Sequence, residues 1–374
     1  MRCVCAVLVL LVACSDSVSA VSDAASAGPD VSARVDASTT DAAVSAGEDA
    51  AAADGGELLG VDAAISAPDG GAPPADAGAP PAPWSPCPRL PGGPRQETAV
   101  VARDGELYVL GGFDGASRVV SSVEIYDPVS GAWRAGPALP VTMHHAHAAV
   151  VGSRLFVLGF LRGLDFRADG RGYVLEPGAT AWAPVAALPA GTERGGGATA
   201  VVGTRIYVIG GLRGGAVAEV SIYDTTTDTF TAGPALPEPR DHLGAAGVGD
   251  QVVVIGGRTG RIESHQSDTW ILDQGASSWR SARPMPTSRG GFALAGLGSR
   301  LYVFGGEGNG REASGVFADV EVYDVAADTW AAEAPMPEPR HGTGAAALGG
   351  TLYVPGGADR QAFAAVATCT ARTP

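Results

Sequence analysis

Leu107–Gly112 reads LYVLGG, and after a turn the chain continues as VEIYD at Val123–Asp127. Trp133 and the pair Leu139-Pro140 complete this stretch. Its apolar runs are short, rich in Val, Ile, Leu and Tyr, and bounded by Gly, Asp and Pro, which favour turns over strand interiors. The stretch therefore predicts short β-strands joined by tight turns, and it decides the fold because it recurs along the chain.

The recurrence has a period of about 49 residues, which two independent markers define. A Leu-Pro or Met-Pro pair closes each unit at Pro91, Pro140, Pro189, Pro237, Pro286 and Pro337. An aromatic residue recurs at Trp84, Trp133, Trp182, Phe230, Trp279 and Trp330. Both markers are spaced by 49, 49, 48, 49 and 51 residues, so the chain is internally repeated from Trp84 onward.

Each unit contains four short apolar or alternating runs. In the first complete unit, the predicted strands are Thr98–Ala102, Glu106–Leu110, Ser122–Tyr126 and Trp133–Ala135. Four antiparallel strands in a repeat of about 50 residues are typical of one blade of a β-propeller. The doubled glycine that ends the second strand suits a bend where a side chain would collide with the neighbouring blade.

The two ends of the repeated region are incomplete in complementary ways. Trp84–Pro91 supplies an aromatic residue and a Leu-Pro pair without the strands that should precede them. The last unit has LYVPGG at Leu352–Gly357 and a third strand near Ala364–Ala371, and then stops without a tryptophan. The fragments together make one blade. The sequence therefore predicts an all-β propeller of six four-stranded blades, closed by the N-terminal strand.

Cys87 and Cys369 lie on the two fragments of this closing blade. In an exported protein they are expected to form a disulfide between the chain ends. The alternative is a pair of free thiols whose positions on adjacent strands differ by a few residues.

The repeated region resembles the kelch-repeat β-propellers. The Gly-Gly, Tyr-Asp and spaced Trp of that family occur at Gly111-Gly112, Tyr126-Asp127 and Trp133, and again at Gly305-Gly306, Tyr323-Asp324 and Trp330. The resemblance covers residues 84–374 and implies the propeller fold. It implies no single activity, because propellers carry many unrelated functions.

The N-terminus predicts an export signal. Arg2 precedes the apolar run Val4–Ala13, which is too short for a membrane span of about 20 residues. The tetrad Leu11–Cys14 resembles the lipobox of bacterial lipoproteins, so residues 1–13 are interpreted as a lipoprotein signal peptide and Cys14 as the lipidation site. Ser15 after the cysteine favours the outer membrane of the cell envelope. The alternative is an ordinary signal with a chance cysteine.

Residues 14–83 are composed almost entirely of Ala, Asp, Ser, Gly, Val and Pro, and they predict a disordered tether because little apolar surface is available to bury. The tether carries 12 acidic residues against one basic residue, Arg34. The whole chain has 40 acidic and 25 basic residues, and it contains no lysine. Lysine Schiff-base chemistry and a P-loop lysine are thereby excluded, and the acidic balance argues against nucleic-acid binding.

Candidate site residues cluster in the loops that lead into the first strand of each blade. Histidines occupy these loops in the second, fourth and sixth blades, at His145, His242 and His341. Arginines follow the closing proline at Arg95, Arg194, Arg240, Arg289 and Arg340. These loops emerge on the same face as the loops between second and third strands, so this pattern predicts a pocket for an anionic ligand. The alternative is that the arginines bond backbone carbonyls and hold adjacent blades together.

The predicted function is a membrane-anchored binding module for a protein or carbohydrate partner. It is expected to be a monomer that contacts the membrane only through its lipid, with no cofactor and no metal. A second hypothesis is an enzyme similar to the bacterial six-bladed kelch sugar mutarotase, which needs an acid/base pair at the channel mouth. Its candidates are Glu97, Glu193, Asp241 and His242. A third is a purely structural protein of the envelope.

Overall fold

The computed structural model describes residues 84–374. The predicted signal peptide, the lipidation site at Cys14 and the tether lie outside the described residues and stay predictions. Among the described residues, no helix is both long enough and apolar enough to cross a membrane.

The described chain forms six four-stranded antiparallel sheets, which are the six predicted blades. The first seven strands along the described chain are β1 (Trp84–Cys87), β2 (Arg95–Gln96), β3 (Ala99–Arg103), β4 (Glu106–Leu110), β5 (Phe113–Asp114), β6 (Val123–Asp127) and β7 (Ala132–Ala135). The second blade consists of β8 (Ala148–Val151), β9 (Arg154–Arg162), β10 (Arg167–Leu175) and β11 (Ala183–Val185). The third blade consists of β12 (Ala198–Val202), β13 (Arg205–Ile209), β14 (Val220–Asp224) and β15 (Thr229–Ala232).

The second half of the propeller repeats this arrangement. The fourth blade consists of β16 (Gly244–Val248), β17 (Gln251–Ile255), β18 (Thr269–Asp273) and β19 (Arg280–Ala282), with a 3₁₀ turn at Ile262–Ser264. The fifth blade consists of β20 (Ala293–Leu297), β21 (Arg300–Phe304), β22 (Val320–Asp324) and β23 (Thr329–Glu333). The last strands in the chain are β24 (Ala346–Leu348), β25 (Thr351–Pro355) and β26 (Cys369–Arg372).

The sixth blade is assembled from both ends of the repeated region. Its strand order is β24-β25-β26-β1, so the N-terminal strand is the outer strand of the last blade. The predicted closure is confirmed. In the register of β1 with β26, Cys87 lies opposite Cys369, and the two cysteines form a disulfide across 282 residues of chain. The third strand of this blade begins at Cys369, later than the predicted Ala364.

The first complete blade has the order β3-β4-β6-β7. Its second strand coincides with the predicted Glu106–Leu110. Its first strand starts one residue later than predicted, because the ladder with β4 runs from Ala99 to Arg103. Thr98 remains in the preceding loop, where its hydroxyl is 3.1 Å from that of Thr343.

The doubled glycine permits close contact between neighbouring blades. Gly111 has φ = 59°, and a Cβ atom there would lie 2.5 Å from the carbonyl oxygen of Met143. The N–H of Gly112 donates to the same oxygen at 2.8 Å. A side chain at this bend would therefore separate the first blade from the second.

The repeated tryptophan joins neighbouring blades at the rim. The indole N–H groups of Trp133, Trp182 and Trp279 donate to the carbonyls of Pro88, Pro137 and Pro234 at 2.8–2.9 Å. Phe230 has no such donor and packs against Tyr223 with ring centroids 4.9 Å apart. The apolar core lies between adjacent sheets and surrounds the central channel.

Candidate functional site

The five arginines that were predicted to line a ligand pocket are all buried. Their exposed fractions are between 0 and 2% for Arg95, Arg194, Arg240, Arg289 and Arg340. The guanidinium of Arg194 donates to the carbonyls of Gly210 and Val208 at 2.9 and 2.8 Å. Burial lowers the pKa of Arg194 to about 10, so it stays charged at neutral pH.

The other arginines of this set have equivalent roles within their own blades. Arg340 donates to the carbonyl of Val354 at 3.0 Å, whereas Arg240 pairs with Asp268 at 2.7 Å and Arg289 with Glu321 at 2.6 Å. Arg95 donates to the Gly111 carbonyl at 3.1 Å. These side chains bond groups on or next to the second and third strands of their own blades, so they hold those strands together. Because the five arginines are buried, the expectation that they line a ligand pocket is corrected. The alternative of carbonyl bonding fits Arg95, Arg194 and Arg340, but these bonds lie within one blade and not between adjacent blades.

Two residues after the arginine position, which Met143 occupies in the second blade, the backbone of the six blades forms a closed ring around the channel. We call this set the channel ring: Glu97, His145, Gly196, His242, Gly291 and Gly342. Each N–H donates to the carbonyl of the preceding member, from His145 to Glu97 at 3.1 Å through to Gly342 to Gly291 at 2.8 Å. The bond from Glu97 to the Gly342 carbonyl, at 2.5 Å, closes the circle.

All six members of the channel ring have a left-handed backbone, with φ between 51° and 69°. Glycine adopts this conformation without strain, but a residue with a side chain costs about 1–3 kcal/mol there and is found most often at functional sites. Glu97, His145 and His242 are the three members with side chains. The sequence therefore places side chains at half of the ring in spite of this cost.

These three side chains converge on the axis of the propeller. Oε2 of Glu97 is 3.1 Å from Nε2 of His145, and that nitrogen is 2.9 Å from Nε2 of His242. Their side chains are 12%, 3% and 6% exposed. The same three residues line both a cavity of about 180 Å³, which Phe166 and Phe363 also line, and a second cavity of about 100 Å³, which Thr98 and Thr343 also line.

His145 is oriented by its neighbour His144. Nδ1 of His145 is 2.6 Å from Nδ1 of His144, whose Nε2 is 2.9 Å from the carbonyl oxygen of Gly163. Burial lowers the pKa of His144 to about 4 and, together with the neighbouring histidines, holds the pKa of His145 well below its ordinary value. Both rings are therefore neutral at pH 7.

His242 is oriented by Asp241. Its Nδ1 is 2.6 Å from Oδ1 of Asp241, which also accepts from Nε of Arg258 at 2.9 Å. Burial alone raises the pKa of Asp241, but hydrogen bonds and charge from His242 and Arg258 outweigh it and leave that pKa below its usual value. Arg258 pairs on its other side with Glu307.

His341 lies in the wall of the same cavity and not in the channel ring. Its Nε2 donates to the carbonyl of Arg360 at 2.8 Å, and its Nδ1 is 3.5 Å from Oε2 of Glu307. Of the predicted histidines, the structure therefore brings His145 and His242 into contact and places His341 nearby. Glu193, a candidate for acid/base chemistry, lies outside this cavity, with Oε2 accepting from the N–H of Gly191 at 2.9 Å.

The grouping of Glu97 with the histidines was not predicted, although the sequence contains a signal for it. Counting from the closing proline puts Glu97 one position later than His145 or His242, because Gly92-Gly93 lengthens the first loop. Counting from the arginine puts Glu97 and His242 at the same position, two residues after Arg95 and Arg240. The arginine is the better reference point because its side chain is fixed beneath the blade.

The propeller architecture and its Gly-Gly, Tyr-Asp and Trp markers agree with comparisons to known proteins. Residues 242–369 match the KLHDC2/KLHL20/DRC7 Kelch-repeats domain, and residues 94–140 and 193–237 match the Kelch motif. The chain is a kelch-repeat protein.

Several curated relatives also match this kelch propeller. The Kelch-like protein terF of Aspergillus terreus (strain NIH 2624 / FGSC A1156) is 35% identical over 280 residues, which cover 71% of this chain and 61% of the relative. Human Kelch-like protein 34 is 29% identical over 255 residues, covering 64% of this chain and 38% of the relative. Mouse Kelch-like protein 35 is 32% identical over 176 residues, covering 47% and 29%. The chain thus spans less than two thirds of the length of these relatives.

Proposed function

We propose that this kelch propeller is an exported binding module that contacts a protein partner through its loop face, the face that carries the loops between second and third strands. The observation that carries the proposal is exposed apolar surface on that face. Leu164 is 66% exposed and Phe363 is 48% exposed, and both lie in these loops. Among residues 84–374, the other large apolar residue with a largely exposed side chain is Val129, which lies in a turn on the opposite face.

The surroundings of these apolar side chains are those of an interface. Phe363 packs edge-on against Phe113 with centroids 5.0 Å apart, beside Phe166 at the mouth of the 180 Å³ cavity. Exposed arginines border the same face, with Arg171 44% and Arg360 73% exposed. Aromatic residues and arginine are the types enriched where proteins bind one another.

The match to Kelch-repeats domains and to Kelch-like proteins supports a protein-interaction module in general. The exposed arginines on the loop face support a partner with an acidic loop, because arginine bonds carboxylates bidentately. A glycan partner remains the second possibility for the same face. Membrane attachment through Cys14, at the outer membrane, is the proposed setting, and the Cys87–Cys369 disulfide supports an oxidising compartment.

Site-specific photo-crosslinking in living cells tests the loop face. A photoreactive residue replaces Leu164, Phe363 or, as the control on the opposite face, Val129 in the full-length chain. We expect one adduct of the same mass from Leu164 and Phe363 and none from Val129. The yield at Phe363 should fall when Leu164→Asp is added. Equal adducts from all three positions would contradict the proposal.

The anchor is tested separately by metabolic labelling with a fatty-acid analogue. The full-length chain should incorporate the label and sediment with membranes, and Cys14→Ala should do neither. The melting temperature of this variant, compared with that of the parent chain, shows whether the propeller is unchanged. A labelled Cys14→Ala chain would refute lipidation at this residue.

A sugar mutarotase or epimerase is the second candidate function. It is favoured by the pair Glu97 and His145, 3.1 Å apart at the floor of the cavity, because a carboxyl and an imidazole can exchange protons with a substrate. Saturation-transfer NMR on a set of acidic sugars tests it. Accelerated anomer exchange that Glu97→Gln abolishes would support the enzyme.

A further inference from the structure

We propose that Glu97, His145 and His242 bind one divalent transition-metal ion on the axis of the propeller, a site that goes beyond the proposed interaction function. The three ligand atoms lie within 4.8 Å of one another. The proposal revises the expectation from sequence that the chain has no metal site. It depends on four observations: the orientation of the two imidazole rings, the acidic side chains around the site, the spacing of the ligand atoms and the strained backbone.

Nε2 of His145 faces this site because its other ring nitrogen is in contact with His144. The carbonyl of Gly163 can only accept, so Nε2 of His144 donates to it, and Nδ1 of His144 lies 2.6 Å from Nδ1 of His145. Nε2 of His145 is directed toward Glu97 and His242.

His242 is oriented in the same way. Its Nδ1 donates to the Asp241 carboxylate at 2.6 Å, and its Nε2 faces Nε2 of His145. One Nη of Arg258 is 3.0 Å from Nδ1 and 2.9 Å from Nε2 of this ring, so the guanidinium must move aside when Nε2 binds an ion. A carboxylate or carbonyl that orients an imidazole from behind is typical of metal-bound histidines.

Three atoms of types that bind metal ions therefore meet at one point. The two Nε2 atoms are 2.9 Å apart, and Oε2 of Glu97 is 3.1 Å from that of His145. In a tetrahedral site with bonds of ~2.0–2.1 Å to zinc, neighbouring ligand atoms are roughly 3.3 Å apart. An outward movement of a few tenths of an ångström would place an ion between them.

Acidic side chains surround the site. The carboxyl groups of Glu97, Asp241 and Glu307 are 12%, 1% and 4% exposed, and within residues 84–374 the arginine that pairs with Asp241 and Glu307 is Arg258, at 11%. A cation between the three ligand atoms would lie beside this group of acidic side chains, and buried charge is stable only when it is compensated.

The strained backbone gives a reason why these residues occupy the ring. The other three members are glycine, which the left-handed conformation favours. Side chains at Glu97, His145 and His242 lower the stability of the fold, so a compensating role is expected. Two imidazoles and one carboxylate are the ligand set of several zinc enzymes and of non-haem iron sites, and they leave coordination positions open toward the cavity.

The experiment is a titration of the full-length chain, purified without a histidine tag and stripped with a chelator. Zn²⁺ binding is measured by calorimetry, and Co²⁺ binding by its ligand-field absorption. We expect saturation at one ion per chain for both metals and a rise in the melting temperature with Zn²⁺. If the chain shows no saturable binding of Zn²⁺ or Co²⁺, the three side chains hold only protons, and the proposal is overturned.

Matched variants distinguish this site from adventitious binding at the surface. His145→Gly and His242→Gly should fold, because glycine suits their backbone, and should lose the saturable binding. His265→Ala, in a loop on the same face, should keep it. Asp241→Asn, which removes a positioning carboxylate, should weaken Zn²⁺ about 10–100-fold and shift the Co²⁺ spectrum. Unchanged binding in both glycine variants would overturn the proposal, whatever partner the loop face has.

Discussion

The loop before each blade contains two positions, two residues apart, with opposite roles. At the arginine position, represented by Arg194 and Arg340, the side chain is buried and bonded to carbonyls of its own blade. At the channel-ring position, represented by His145 and Gly291, the backbone makes the same bond in every blade but the side chain differs. The first position holds each blade together, and the second is free to carry chemistry.

This difference indicates which positions of a repeat protein are expected to carry function. A residue that recurs in most blades, such as the arginine, makes contacts within its own blade. A side chain at a position where every blade has the left-handed backbone that suits glycine is not required by the fold. The departures at Glu97, His145 and His242 therefore point to function better than the repeated arginines do.

The largest expected effect is at the arginine position. Arg194→Met keeps most of the volume but removes every donor, which leaves the carbonyls of Gly210 and Val208 without that partner. We expect a loss of about 3 kcal/mol in the free energy of unfolding, since each buried unsatisfied group costs about 1–3 kcal/mol. Denaturant unfolding measures it.

Arg171→Ala is the control for this change, because Arg171 is 44% exposed and pairs only with Asp169. Its effect should be below about 1 kcal/mol, as for most exposed ion pairs. If Arg194→Met were as mild as Arg171→Ala, the arginine position would not hold the blade as we describe.

A smaller effect is expected at a glycine of the channel ring. Gly291 has φ = 65°, and a Cβ atom there would be 3.3 Å from the nearest atom, a flexible carboxylate oxygen of Glu307. The cost of Gly291→Ala therefore comes chiefly from the backbone and should be about 1–2 kcal/mol. Gly310→Ala, at a loop glycine with no neighbour within 4 Å and no positive φ, serves as the control and should not destabilise the chain.

The fold could be predicted from the sequence because the repeat markers are the residues that make blade-to-blade contacts. Trp133, Gly111 and Gly112 each contact the loop of a neighbouring blade, so their period is the period of the blades. The closing blade followed from the incomplete ends, and the pairing of β1 with β26 bears this out.

The site was predicted only in part, for two physical reasons. Burial of the arginines depends on how far a long side chain reaches beneath its blade, which spacing alone does not reveal. The meeting of Glu97 with His145 and His242 depends on three loops that are far apart in sequence and differ by one residue in length. The left-handed backbone conformation that these residues share could not be predicted from the sequence, because residues with a side chain adopt it uncommonly.

The smallest effect is expected from substitutions of His145 in the channel ring. They test directly whether a side chain at the channel-ring position lowers the stability of the fold. His145→Ala and His145→Gly remove the same imidazole and differ by one methyl group at φ = 51°. Glycine at left-handed φ avoids a cost of about 1 kcal/mol, so His145→Gly should be the more stable variant by about that amount. At Ala102, in strand β3 and without positive φ, Ala102→Gly should instead lower stability, because glycine loses more entropy there. If His145→Ala were the more stable of its pair, the ring would not impose the conformation on its side-chain members, and the contrast between the two positions would fail.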